Sequence, residues 1–147
     1  MQIIQAGMEH CDNLLELNKT LHLDIPKFKW DTGEYITEEI SKGGCYIAKD
    51  TIRGKDKFLG SISMKSYGNK GCIDKLIVDK NYQGKGVGKS LVNFAIDWSK
   101  ARGKNELLIE SFCQYNVAGF YKNCGFEQDK GLIYYQGTPF YCFSMKI

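Results

Sequence analysis

A chain of 147 residues, 43% hydrophobic and 25% charged, has the length and composition of one globular domain with a substantial core. Its net charge of +3 comes from scattered Lys and Arg, which argues against nucleic acid as a partner. No apolar run reaches membrane-span length and the amino terminus lacks a basic-then-apolar signal, so no membrane and a cytoplasmic address are expected. The six cysteines (Cys11, Cys45, Cys72, Cys113, Cys124, Cys142) form no C-x-x-C pair. With only His10 and His22 beside them, they are expected to be reduced, buried thiols, and no metal is expected.

In chain order, Ile3 and Ile4 predict a short strand. Leucines and Cys11 at helical spacing predict a helix from Met8 to Leu23, ended by Asp24-Ile25-Pro26. Asp31 is placed to cap a second helix carrying Tyr35, Ile36 and Ile40 and stopped by Gly43-Gly44. Cys45–Ala48 and Phe58–Met64 read as strands joined by the turn Arg53-Gly54-Lys55-Asp56, and Ile73–Val78 as another. Val87, Leu91, Phe94, Ala95, Trp98 and Ala101 mark one helix face, closed by Gly103. A strand from Leu107 to Cys113 and a helix from Asn116 to Cys124, stopped by Gly125, come next. A final pair, Leu132–Tyr135 and Tyr141–Lys146, turns at Gly137-Thr138-Pro139. With no linker or repeat, this order predicts a single domain over residues 1–147. Its class is mixed α/β (α+β): a central, mostly antiparallel mixed sheet with helices on both faces.

The most informative stretch is Gln83-Gly84-Lys85-Gly86-Val87-Gly88-Lys89-Ser90, between an apolar strand and an amphipathic helix. Its glycines let main chain approach a ligand closely, and the helix start aims free N–H groups at the same spot. That is a phosphate cradle. A mononucleotide loop, G-x-x-x-x-G-K-[ST], fails because Gln83 stands where its first glycine belongs; counted from Gly84 the loop is one residue short. A dinucleotide fingerprint, G-x-G-x-x-G, fails because Lys89 takes the third glycine position. A flexible surface turn is the bland alternative in a chain with 16 glycines. The pattern Q/R-x-x-G-x-G/A fits, with Gln83, Gly86 and Gly88, and resembles the acetyl-CoA pyrophosphate loop of the GNAT superfamily of N-acetyltransferases. Farther on, Phe120-Tyr121-Lys122-Asn123-Cys124-Gly125-Phe126 is similar to that superfamily's F/L-Y-x-x-x-G-F signature. The element order agrees along nearly the whole chain.

The resemblance implies acetyl-CoA as acyl donor and an amine-bearing acceptor. Main-chain N–H groups from Gln83 through Gly84, Lys85, Gly86, Val87 and Gly88 would hold the pyrophosphate, with charge from Lys85 and Lys89 and the hydroxyl of Ser90. Main chain at Ile77 and Val78 would pair with the pantetheine arm and place an N–H near the thioester carbonyl. Tyr121 would protonate the leaving thiolate, a task suited to a phenol. Read alone, Tyr121 is more readily a packing residue, and its position one strand and one helix after the glycine loop reverses that reading. The superfamily's asparagine stands seven residues before its tyrosine; here Asn116 is five before and Gln114 seven before, so either could reach the cofactor. Asp74 and Glu110 are the candidate general bases, and ion pairing or plain exposure would account for either carboxylate as well. The acidic stretch Asp24, Asp31, Glu34, Glu38 and Glu39, and the hairpin with Tyr134, Tyr135 and Phe140, would border the acceptor. A non-catalytic acyl-CoA-binding module on the same fold is the alternative function, and a homodimer is possible.

Overall fold

The computed structural model describes residues 1–147. Its elements are β1 (Gln2–Gln5), α1 (Cys11–Lys19), α2 (Gly33–Ser41), β2 (Cys45–Ile52), β3 (Lys55–Tyr67) and β4 (Lys70–Val78). There follow α3 (Val87–Ala101), β5 (Glu106–Phe112), α4 (Ala118–Asn123), β6 (Glu127–Gln128), β7 (Ile133–Tyr135) and β8 (Thr138–Lys146). The strands form one sheet in the order β1-β2-β3-β4-β5-β8-β6, with β7 on β8. β4–β5 is parallel, whereas β1–β2, β2–β3, β5–β8, β6–β8 and β7–β8 are antiparallel. The expected mixed, mostly antiparallel class is what is observed. Residues group into two compact units, Met1–Ser63 with Lys75–Leu91, and Met64–Asp74 with Val92–Ile147.

In the first unit, Ile47 pairs with Ser61 and its neighbour Ala48 with Gly60, so these pairs lie on opposite faces. Ile47 joins Leu14, Leu17, Ile36, Ile40 and Ile77 in one core, which puts α1 and α2 on its face. Leu91 of α3 packs near Gly60 on the other. Helices therefore flank both faces of the sheet. A polar cluster lies beneath α2: Tyr35 Oη donates to Glu39 Oε1 at 2.6 Å, and Lys75 Nζ sits 4.8 Å from the Tyr35 ring centroid. Glu39 and Lys75 are only 5% and 4% exposed, a burial that charges tolerate only when partnered.

In the second unit, Gly71 pairs with Leu107 and Ile73 with Ile109, and Ile109 in turn pairs with Phe143. Ser99 of α3 occupies the space above Gly71, where an added Cβ would overlap its hydroxyl. Tyr121 of α4 packs 5.4 Å from Phe143. Both helices of this unit thus cover the Gly71–Ile109–Phe143 face.

Several boundaries differ from expectation. The first helix begins after a short turn at Met8–His10 and ends at Lys19, four residues early. There the N–H groups of Thr20, Leu21 and His22 bond three residues back, and Thr20 Oγ1 donates to Leu17 O, tightening the chain out of the α register. Thr32, and not Asp31, caps α2 by accepting from Tyr35 N; the Asp31 carboxylate instead meets His22 Nδ1 at 2.7 Å. Lys55 and Asp56 belong to β3 and Thr138 and Pro139 to β8, leaving two-residue turns Arg53-Gly54 and Gln136-Gly137 with all four φ angles positive. Asn116 (φ 52°) closes a turn over Cys113–Tyr115, so α4 starts at Ala118. The two-residue β6 was not anticipated. All six thiols are free, yet only Cys45 is buried and the others are half-buried.

Two tests follow from this packing. Gly71→Ala should destabilise the chain by about 1–3 kcal/mol through overpacking against Ser99, read as a lower urea midpoint at constant m-value. Ser99→Ala removes a buried hydroxyl that has no hydrogen-bond partner and should leave stability unchanged or raise it by about 1 kcal/mol. A third test concerns His22, whose ring nitrogens meet Asp24 and Asp31 and whose pKa those hydrogen bonds raise. A raised folded-state pKa makes its stability contribution complete below the unfolded value of about 6.5 and lost as pH rises through the folded value. NMR titration of the ring should place its midpoint above about 6.5, and His22→Gln should abolish that segment of the stability–pH curve.

Candidate functional site

The glycine loop leaves β4 in a bonded sequence. Asp79 N donates to Leu59 O at 2.8 Å and its carboxylate accepts from Asn81 N at 2.8 Å, starting a short turn over Lys80–Tyr82. Gln83 Nε2 then reaches back to Val78 O at 3.3 Å. Gly84 and Gly86 have φ of 75° and 85°, and the space where a Cβ would stand is open at both. Ser90 N donates to Gly86 O at 3.0 Å, which leaves the N–H groups of Val87, Gly88 and Lys89 as the orphan donors of α3. Lys85 and Lys89 are exposed, with Lys85 Nζ 5.6 Å from the Tyr82 ring centroid; Ser90 is half-buried in the first helical turn. Unpaired donors, a helix start and uncovered glycine backbone suit a pyrophosphate.

Ile77 and Val78 differ in what they present. The Ile77 side chain is in the core and its carbonyl lies against Gly60 of β3. Backbone groups of successive strand residues point to alternate sides. With Ile77 O and Asp79 N both turned to β3, the N–H and C=O of Val78 point away from it. The Gln83 carboxamide occupies that carbonyl and leaves the Val78 N–H as the outward donor.

Tyr121 is 4% exposed, with Phe120, Phe126 and Phe143 rings at 5.0, 5.7 and 5.4 Å. Burial, with the Cys124 thiol as a lesser cause, pushes its phenol above the ordinary range, so it stays protonated. No hydrogen bond engages its hydroxyl. The surrounding rings fix the phenol without neutralising it.

The two carboxylates are not equivalent. Asp74 is ion-paired with Lys65 Nζ at 3.1 Å. Glu110 is exposed, and its contact is the Cys142 thiol, Sγ to Oε1 at 3.9 Å. Burial first, then Glu110 and Asp129, push that thiol up to about 11, so Cys142 is neutral. Register places Glu110 opposite Cys142 while Ile109 is opposite Phe143. Glu110 and Tyr121 therefore lie on opposite faces of β5 and β8. Cys142 beside Glu110 escaped the sequence reading; 32 residues separate them, and only the register brings them together.

The acidic stretch does not gather free charge. Asp24 and Asp31 flank His22, Glu38 pairs with Lys42 at 3.2 Å, and Glu39 is buried under Tyr35, leaving Glu34. In the hairpin, Tyr134 and Tyr135 are exposed and Phe140 is half-buried against Phe112. Asn116 stands in the left-handed region beside Gln114, at the end of the turn before α4. No helix is long and apolar enough to cross a membrane.

A family model described as "Acetyltransferase (GNAT) family" matches residues 12–126. A curated relative, glucosamine 6-phosphate N-acetyltransferase of Arabidopsis thaliana, is 30% identical over 86 residues, 55% of this chain and 56% of that protein. The chain spans about half the length of the curated relatives it matches. Among solved structures, Ard1 from Thermoplasma volcanium aligns with a TM-score of 0.79 at 16% identity, covering 99% of this chain and 97% of that one. PaiA N-acetyltransferase from Thermoplasma acidophilum, crystallised with coenzyme A, aligns at 0.75 and 20% identity, covering 99% and 98%. These two similarities concern the fold.

Proposed function

The chain belongs to the GNAT acetyltransferase family, and on that footing we propose that it moves an acetyl group from acetyl-CoA to an amine by direct attack in a ternary complex. The observation that carries the reading is the pairing of chemistries across β5 and β8. A protonated, unengaged phenol lies on one face and an unneutralised carboxylate on the other. Acyl transfer needs a proton donor on the leaving-group side and a proton acceptor on the nucleophile side.

Acetyl-CoA supplies the thioester carbon. The N–H groups from Gln83 to Lys89 would hold its pyrophosphate, helped by the Lys85 and Lys89 charges and the Ser90 hydroxyl, with Asn116 also assigned to the cofactor. The Val78 N–H would steady the oxyanion, a contribution typically worth about 3 kcal/mol. Ile77 contributes by fixing Val78 through its buried side chain. The amine lone pair forms the C–N bond as the C–S bond breaks. Glu110 takes the proton of the incoming ammonium to free that lone pair, Tyr121 gives its own proton to sulfur, and the second proton leaving nitrogen restores Tyr121 through water. Asp74, already paired with Lys65, is the weaker candidate base. Six unpaired thiols favour a reducing, cytoplasmic setting.

Tyr121→Phe should lower kcat by about 10²-fold while calorimetry finds acetyl-CoA affinity within about twofold of the parent chain; unchanged kcat with a good acceptor would remove Tyr121 from the chemistry. Glu110→Gln should depress kcat/KM near neutral pH, whereas Asp74→Asn should change it little. Equal losses in the two variants would sink the choice of Glu110. Acetyl-CoA binding without CoA release across an amine panel would identify a non-catalytic binding module.

A further inference from the structure

The acceptor face has a composition of its own. Residues alternating along β5 put Glu110 and Phe112 on one face, and the register adds their partners Cys142 and Phe140 from β8. Ile133 of β7 is opposite Phe140 and shares that face. Phe112 and Phe140 meet edge to face at 6.0 Å, and Ile133 is 47% exposed. The α3 and α4 contacts lie on the opposite face, with Gly71 and Phe143. The hydrocarbon around Glu110 is therefore open on that side.

The charges are equally uneven. Glu110 is bonded by a neutral thiol and by no cation. Asp129 adds a second negative charge near Cys142. Lys130, next to Asp129, is exposed, while the cations of β3, β4 and β8 near this face are engaged or distant. Lys65 pairs with Asp74 at 3.1 Å and Lys70 with Glu106 at 3.8 Å. Lys146 stands opposite Glu106, four residues along β8 from Cys142, or about 13 Å. The face suits an ammonium joined to an apolar body and opposes a phosphate, which needs cationic donors.

Resting on the acetyl-transfer reading above, we propose that the acceptor is a primary amine carried on an aromatic or other apolar group without a phosphate, received on the Glu110–Phe112–Phe140 face. The ammonium approaches Glu110, to which it gives up its proton, while the apolar body lies against Phe112, Phe140 and Ile133. This separates the chain from the glucosamine 6-phosphate acetyltransferases among its relatives, whose named acceptor is an anionic sugar.

The test uses the intact chain at saturating acetyl-CoA and follows CoA thiol release with 2-phenylethylamine, hexylamine, glucosamine and glucosamine 6-phosphate. The expected order places phenylethylamine first and glucosamine 6-phosphate last, with kcat/KM values separated by about 100-fold or more. Phe112→Ala and Phe140→Ala should each reduce the preference for phenylethylamine over glucosamine by about tenfold, with melting temperature reporting whether the fold holds. Faster transfer to glucosamine 6-phosphate would overturn the acceptor class and leave acetyl transfer standing. An unchanged aryl preference in both folded variants would overturn the assignment to this face. Absence of CoA release with all four amines would remove both readings.

Discussion

Neighbouring residues of a β-strand cannot point the same way, and this molecule turns on that constraint at Ile109 and Glu110. Ile109, through its partner Phe143, belongs to the dry side, where Tyr121 sits among rings. Glu110, one residue later, faces the other way beside Cys142. The two environments need opposite dielectrics. Burial raises the pKa of the phenol beyond its ordinary range, while the carboxylate stands exposed to water. The pleat provides both within one peptide unit. A one-residue slip of β8 against β5 would exchange the faces and remove both properties.

The first unit is ordered by a different economy. Backbone groups on β4 are divided between β3, which takes Ile77 O and Asp79 N, and the outward side, which keeps those of Val78. Gly60 is what lets Ile77 O come so close, because any side chain there would meet that carbonyl. The loop beyond is then bonded at both ends, through Asp79 at its entry and Gly86 to Ser90 at its exit. Between these anchors Gly84 and Gly86 keep the backbone bare. Beneath α2, Tyr35 joins a carboxylate and an ammonium that would otherwise be costly to bury.

What the sequence made legible was local. The glycines from Gly84 to Gly88 and the apolar stripe of α3 are written in consecutive residues, so loop and helix could be read directly, with α3 ending at Ala101 as its periodicity implied. What it hid was decided at a distance. Asp31 and Thr32 are both competent caps, and His22, nine residues upstream, drew the Asp31 carboxylate away. Charged Lys55 and Asp56 resembled a turn, but pairing with Ile52 and Thr51 drew them into β3. The acidic stretch promised a field that His22, Lys42 and Tyr35 locally cancel. Asp74 and Glu110 were indistinguishable as letters; Lys65 and Cys142 separate them.

The contact between Gly71 and Ser99 also bears on how this chain can change over generations. The hydroxyl of one fills the volume that the other leaves, so the two codons specify a single shape. Mutation at position 71 meets selection on behalf of position 99, although the glycine loop stands between their elements in the chain. Drift at the pair is confined to paths on which the helix residue shrinks before the strand residue grows. Two ordinary-looking small residues are thereby inherited as one character.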